Sequence, residues 1–369
     1  MEYHTTFLSL PEGRRIIAVS DIHGHLSLLK ALLEKIRYKP GDDLLFLVGD
    51  TVEKGPDSLG TLRYVMKLCE EGTVYPTMGN VDAFTLSMLD ADGDGEAFLR
   101  YVNVRRRHSG SSLITEALDE LGLPLGGLSD VPAAKQALRA HLARETAFLQ
   151  SLPALIETEK YIFVHGGLPM ADTSALTAAD LPGLLKFDAF LEKAPNFDKY
   201  VFVGHWPVVL YSDTVSCADP IIDQKRHVVS LDGGCGVKDG AQLNAVLVAP
   251  DGSFSHESYD GLPQVQALDA QTDGGDAFHL RWTERFVERL SAENGIARVR
   301  VISCGKTLDV PENYLYTEAD GRLCCRDFPA NRLKIEPGDA LSLIDETPLG
   351  LLVKKGSTSG LYGGRVRAL

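Results

Sequence analysis

The chain has 369 residues, 44% of them hydrophobic and 24% charged, a composition that excludes a disordered or fibrous protein and, at roughly 100–200 residues per domain, predicts two domains. A net charge of −14 speaks against a nucleic-acid or anionic-membrane partner and leaves any attraction for phosphate to local groups. No apolar run is long enough to span a membrane, and Met1-Glu2-Tyr3-His4 does not begin a basic-then-apolar leader, so a cytoplasmic location is expected, with the six cysteines as reduced core residues.

The first predicted element is a buried strand, Arg15 to Ser20. A helix follows over Leu26 to Ile36, with Leu28, Leu29, Leu32, Leu33 and Ile36 on one face. Leu44 to Val48 reads as a strand. Leu59 to Leu68 reads as a helix capped by Ser58 or Asp57, and Thr73 to Thr77 as a third strand. This β-α-β-α-β order predicts an α/β layered core. Residues 83–150 read as mostly helical, an insertion that is either a lid or a packing element. Strands return at Tyr161 to Val164, Tyr200 to Val203, His227 to Leu231 and Leu243 to Val248, as expected of a second sheet packed on the first. Gly261 to Asp276 is Gly-, Asp- and Gln-rich and is expected to be a linker or poorly ordered loop. Trp282, Phe286 and Leu290 at spacing four predict a short amphipathic helix. The remainder, to Leu369, has short β runs between turns and is expected to form a small SH3-like β-barrel. From Phe278 onward the net charge is +2 and before it −16, a contrast that also suggests two units.

Five short segments carry the chemistry, each at the end of a predicted strand: Asp21-Ile22-His23-Gly24, Gly49-Asp50, Gly79-Asn80, His165-Gly166-Gly167 and Gly204-His205. Strand ends are where α/β sheets place ligand sites, and the flanking glycines permit close backbone approach. Two Asp, one Asn and three His form an oxygen/nitrogen donor set suited to Mn, Fe or Zn. An Asp between two such groups can bridge two ions, the arrangement that serves phosphate-ester hydrolysis. Each match alone is weak; five in fixed order are not.

This ordered series resembles the calcineurin-like metallophosphoesterases, and in particular their PPP-type serine/threonine protein phosphatase branch in bacterial form. Leu231-Asp232-Gly233-Gly234-Cys235-Gly236 and Leu243 to Val248 extend the resemblance, which covers about residues 14–258. It implies a two-sheet α/β sandwich with a helical insertion, and domains at 1–258 and 278–369 joined by a linker at 259–277. It implies two divalent transition-metal ions, with Asp21 and His23 holding the first, Asp50 bridging both, and Asn80, His165 and His205 completing the second. It further implies attack by metal-bound hydroxide without a phosphoenzyme. Pro207 stands where related esterases carry a second His of G-H-x-H, which favours the PPP-like branch.

The departures from the family pattern are specific. Where the family has G-D-x-V-D-R-G, this chain has Glu53 and Lys54. Lys54 keeps the charge that holds phosphate but not the bidentate fork of Arg. Where the family has R-G-N-H-E, this chain has Met78, Val81 and Asp82, so the leaving-group acid is missing. Asp82, Glu53 and His25 are the candidates to replace it. No Arg occurs between His165 and His205, and Lys186 is the nearest cation there. The run Arg105-Arg106-Arg107-His108 is read as a solvated face before it is read as a replacement for the lost arginines. Trp206 is either a pocket wall or core packing.

The leading expectation is a phosphomonoesterase acting on a phosphorylated protein or small phosphoester. One alternative is a dinucleoside-polyphosphate or nucleotide phosphohydrolase. The other is a catalytically weak metal-binding scaffold whose C-terminal domain binds a protein partner.

Overall fold

The computed structural model describes residues 4–90, 93–108, 111–275 and 277–369. Ala91, Asp92, Ser109 and Gly110 of the expected insertion, Asp276 of the expected linker, and Met1, Glu2 and Tyr3 lie outside the described residues. The chain divides into two compact units. One comprises Met1–Trp206, Pro220–Val237 and Leu243–Tyr259, and the other Pro207–Asp219, Lys238–Gln242 and Asp260–Leu369.

The strands of the first part of the chain are β1 (Thr5–Phe7), β2 (Ile16–Val19), β3 (Leu44–Val48), β4 (Val74–Thr77), β5 (Leu155–Glu157), β6 (Tyr161–Val164) and β7 (Tyr200–Val203). After these come β8 (Ser216–Cys217), which belongs to the second unit, then β9 (Ile221–Asp223), β10 (Val228–Ser230), β11 (Leu243–Val248) and β12 (Phe254–Tyr259). One sheet has the order β12-β11-β2-β3-β4 and the other β1-β5-β6-β7-β10-β9. The pairs β2/β3, β3/β4 and β6/β7 are parallel.

Strands β2 and β3 read Ile-Ile-Ala-Val and Leu-Leu-Phe-Leu-Val and are buried throughout, as expected of parallel strands covered on both faces. Their alternation decides what covers each face. Ile16, Ala18, Leu44, Phe46 and Val48 pack with Phe163, Phe202 and Val229 of the second sheet. Phe46 and Phe163 stack with centroids 3.7 Å apart, and Phe202 continues the stack at 4.9 Å. Ile17, Val19, Leu45 and Leu47 pack instead with Leu29, Leu32 and Leu33 of α1 (Leu26–Lys35) and with Val65 and Leu68 of α2 (Ser58–Glu70). Asp57 caps α2, accepting from Gly60 N–H at 2.9 Å. The α/β two-sheet core expected from the sequence is therefore present.

The helices that follow β4 are α3 (Asn80–Met88), α4 (Gly95–His108), α5 (Leu113–Glu120), α6 (Val131–His141) and α7 (Ala143–Ser151). Glu116 on α5 accepts from the N–H groups of Ser58 and Leu59 at 2.7 and 2.6 Å, placing a carboxylate on the N-terminus of α2, where the helix dipole favours it.

The second unit departs further from expectation. Its strands are β13 (Gln264–Ala267), β14 (His279–Leu280), β15 (Val287–Glu293), β16 (Ile296–Val301), β17 (Thr307–Pro311), β18 (Leu315–Thr317), β19 (Leu323–Cys325), β20 (Phe328–Pro329), β21 (Ala340–Thr347), β22 (Gly350–Lys355), β23 (Thr358–Tyr362) and β24 (Val366–Ala368). The main sheet runs β24-β13-β21-β22-β23-β8, beside one three-stranded and two two-stranded sheets. The end strands β24 and β8 are not paired with each other, so among the described residues no sheet closes into the expected SH3-like barrel. Short strands and Gly turns are common to barrels and open sheets, and do not distinguish them. The expected linker contains β13, which lies second in that sheet. The expected helix at Trp282 to Leu290 is a single 3₁₀ turn, Trp282–Glu284, followed by strand β15, which pairs with β16. Three apolar residues at spacing four fit a helix, but the hairpin partner Ile296–Val301 overrides the local pattern.

One buried cation ties the second unit together. Lys354 on β22 is fully buried. Its Nζ donates to Gln242 Oε1 at 2.8 Å and pairs with Asp260 Oδ2 at 3.1 Å. Burial holds its ammonium below the usual lysine range. Lys354→Ala leaves Asp260 without this partner and is expected to cost about 3–5 kcal/mol in urea unfolding, most of it recovered in Lys354→Met/Asp260→Asn.

Candidate metal centre

All five motif segments leave the C-terminal ends of strands β2, β3, β4, β6 and β7, and backbone hydrogen bonds lace their loops together. Asp21 N–H donates to Gly49 O at 3.2 Å, His23 N–H to Asp50 O at 2.9 Å, and Gly24 N–H to Thr51 O at 2.9 Å. Gly204 N–H donates to His165 O at 3.0 Å. The glycines are required by contact as well as by turn geometry. A Cβ on Gly79 would stand 2.1 Å from Asp50 N, and one on Gly49 would stand 2.6 Å from the His165 ring. Asp21, His23, Asp50 and His205 all adopt left-handed φ, between 48° and 65°. Side-chain residues enter that region at a cost of roughly 1–2 kcal/mol each, and such strain clusters at functional sites.

The side chains converge on Asp50, whose two oxygens face different partners. His23 Nε2 lies 3.7 Å from Asp50 Oδ2 and 3.7 Å from Asp21 Oδ1. On the other side, His165 Nε2 lies 3.3 Å from Asp50 Oδ1 and 3.0 Å from Asn80 Oδ1. His205 Nδ1 reaches the same Asn80 oxygen at 2.9 Å. Asp21, Asp50 and His165 can bring one ligand atom each within 4.8 Å of one another. Two donors each about 2.1 Å from a shared ion stand roughly 3.0–3.4 Å apart in tetrahedral or octahedral arrays, close to the spacings here.

Each imidazole has its other nitrogen committed elsewhere. His165 Nδ1 faces Val48 O at 2.9 Å, His23 Nδ1 faces Val52 O at 3.3 Å, and His205 Nε2 faces Asp188 Oδ1 at 2.8 Å. Carbonyl and carboxylate oxygens only accept, so these nitrogens carry the ring proton. The inward nitrogens of His165 and His205 then present lone pairs toward oxygen atoms, while that of His23 also faces the Lys54 ammonium at 3.0 Å. Lone pairs facing oxygens are favoured by a cation between them. The titration behaviour agrees. Burial, and after it the charge of Asp232, push Asp21 well above the usual carboxylate range. Burial alone opposes a charge on His165, yet Asp50 and Asp21 overcome it and push His165 up to about 10. Burial and Lys54 hold His23 down at about 3, and burial and His165 hold His205 down at about 4. The carboxylates therefore favour positive charge at this point, and the donor set fits a divalent ion.

The remaining candidates are placed less as expected. Lys54 Nζ lies 3.0 Å from His23 Nε2, at the edge of the cluster. Asp82 is buried and its oxygens accept from the N–H groups of Thr51, Val52 and Gly79 at 3.0–3.3 Å. Burial and Asp50 push it up to about 7. Glu53 turns away from the cluster toward Thr85, Tyr101 and Arg105. His25 is half-buried, its Nδ1 2.8 Å from His23 O. Lys186 is exposed. Of the basic run, Arg105 pairs with Glu53 and Arg106 with Asp119; the side chain of His108 lies outside the described residues. Trp206 is half-buried. Two residues went unremarked as site residues in the sequence: Asp188, which orients His205, and Asp232, buried beside Asp21. Asp188 lies in the arginine-free interval between His165 and His205.

The sequence pattern of the calcineurin-like phosphoesterases matches residues 14–232, more than half of the chain. With the two-sheet core and the strand-end cluster, this defines the class: the chain belongs to the calcineurin-like phosphoesterase family. Among its relatives is the symmetrical bis(5'-nucleosyl)-tetraphosphatase of Thioalkalivibrio sulfidiphilus, 44% identical over 73 residues, which are 20% of this chain and 26% of that protein. The protein of the same name from Aromatoleum aromaticum is 29% identical over 153 residues, 42% of this chain and 44% of that one. The chain thus spans about a quarter to under half the length of these relatives. A solved protein serine/threonine phosphatase from Saccharomyces cerevisiae is 14% identical, covering 71% of this chain and 85% of that chain, with a TM-score of 0.43.

A Cβ on Gly204 would stand 2.3 Å from Asp21 Oδ2. Gly204→Ala is therefore expected to lower the bound manganese per chain, measured by elemental analysis after gel filtration, with the circular dichroism of the wild type. Full manganese retention would show that the Asp21 carboxylate is not part of the ion site.

Proposed function

We propose that this chain is a two-metal phosphohydrolase acting on small phosphate esters or anhydrides, with dinucleoside polyphosphates as the first substrate class to examine. Asp21, His23 and Asp50 would hold one divalent ion, and Asp50 with Asn80, His165 and His205 a second; Mn, Fe or Zn suits these donors. Such ions supply Lewis acidity toward water and toward phosphoryl oxygens. Lys54 contributes a single-point positive charge for a phosphate oxygen. Within the family, Pro207 after His205-Trp206 favours the PPP-like branch.

The observation that carries the substrate class is that, among the described residues, no proton donor is committed to the leaving group. Val81 has none. The oxygens of Asp82 are taken by backbone N–H groups, and Glu53 is enclosed by other side chains. His25 turns its Nδ1 to His23 O at 2.8 Å. General acid help contributes typically 10²–10⁴-fold, and it matters most for alkoxide leaving groups. A nucleotide phosphate departs as a stable anion and needs little. The names of the tetraphosphatase relatives support the same reading.

Manganese-loaded protein is expected to cleave diadenosine tetraphosphate, followed by chromatography of the products, at least about tenfold faster than a phosphoserine peptide. The reverse ranking would return the protein-phosphatase reading, and no turnover of either would sink the hydrolase. Asp50→Asn is expected to lose manganese and turnover together; an active, fully loaded variant would remove Asp50 from its bridging role.

A further inference from the structure

The loop after β3 carries both Asp50 and Lys54, and its backbone is improbable. Asp50, Glu53 and Lys54 have φ of 52°, 73° and 69°, left-handed values that side-chain residues disfavour. Something outside the loop must hold it, because Lys54 is a long, flexible side chain whose reach depends on where its Cα stands.

The holding group is Glu53. Its side chain is fully buried and its carboxylate gathers three donors. Tyr101 OH lies 2.6 and 2.7 Å from its two oxygens, Thr85 Oγ1 donates to Oε1 at 3.0 Å, and Arg105 Nε pairs with Oε2 at 3.1 Å. The backbone is fastened as well: Glu53 N–H donates to Ser58 Oγ at 2.9 Å, and Gly55 O accepts from Ser111 Oγ at 3.1 Å. Thr85 sits on α3, the helix that opens with Asn80, while Tyr101 and Arg105 sit on α4. One carboxylate therefore joins the Asp50/Lys54 loop, the Asn80 helix and helix α4. A buried carboxylate persists only when its donors are all in place, so the three pieces are fixed together.

We propose that Glu53, Tyr101 and Arg105 are positioning residues that set the place of Lys54 for phosphate, which makes helix α4 a buttress of the site. This rests on the assignment of Lys54 as the phosphate-holding cation. It accounts for Arg105 differently from its neighbours: Arg106 pairs on the surface with Asp119, whereas Arg105 is spent on the loop. A purely structural role would lower stability without selecting for Lys54.

The test is a double-mutant cycle between Tyr101 and Lys54, read as the Kd for inorganic phosphate of the manganese-loaded full chain by calorimetry. Tyr101→Phe keeps the ring and removes the donor. It is expected to weaken phosphate roughly tenfold, as is Lys54→Met, while the double variant binds no more weakly than Lys54→Met alone. Arg105→Gln, a partly exposed site, is expected to follow Tyr101→Phe in direction. Multiplicative losses in the cycle, wild-type affinity in Tyr101→Phe and Arg105→Gln, or no phosphate binding by the wild type would each overturn the inference. Phosphate binding with the expected coupling but no hydrolysis of any ester would sink the proposed function and leave this inference standing.

Discussion

The first unit is organised around Asp50, a buried carboxylate with an imidazole facing each of its oxygens. His23 and His165 stand at 3.7 and 3.3 Å from its two oxygens, and Asp21 and Asn80 stand beyond them. Carboxylates and lone pairs do not gather in a dry interior without a positive charge to share. Every other feature of the five loops makes this gathering geometrically possible. The outer hydrogen bonds of the three histidines fix which nitrogen turns inward. The glycines at 49, 79 and 204 remove the atoms that would keep the loops apart.

Strain follows from the same demand. Loops that leave parallel strands must turn sharply to aim short side chains at a common point, and four of the converging residues do so in left-handed conformations. Such conformations survive when the flanking elements are rigid. Here the flanks are β2, β3, β6 and β7, locked from one side by the Phe46, Phe163 and Phe202 stack and from the other side of β2 and β3 by α1 and α2. The polar centre is placed by an apolar core that it meets at Val48.

How much of this was legible in the sequence depends on the range of the interaction. Strand ends with Gly-flanked Asp and His are local signals, and the structure brings Asp21, His23, Asn80, His165 and His205 together around Asp50. Buried runs such as Leu44 to Val48 announce parallel strands directly. The proton acceptors were illegible, because Val48, Val52 and Asp188 are selected by tertiary position and not by residue type. Glu53 and Asp82 were read from their neighbours in the chain as acids, whereas burial and distant donors decide their partners. The second unit shows the limit most plainly. Gly261 to Asp276 looks like a linker because only Val265 and Ala267 mark β13 as partly buried, and Trp282 to Leu290 mimics a helix until β16 supplies a ladder.

The departures from the family pattern become coherent once burial is known. The family pattern has an Asp at position 53 and a His at position 81, and here both are changed. With Val81 no imidazole remains for a carboxylate at 53 to support. A longer side chain at 53 can then reach Tyr101 and Arg105 on α4 and Thr85 on α3. Asp82, one residue further on, is drawn the opposite way and spends its oxygens on the N–H groups of Thr51, Val52 and Gly79. Both acids near the cluster thus serve the backbone that carries Asp50, Lys54 and Asn80. The change at positions 53 and 81 and the fastening of these loops are two faces of one rearrangement, in which Glu53 and Asp82 are spent on the loops that carry Asp50, Lys54 and Asn80.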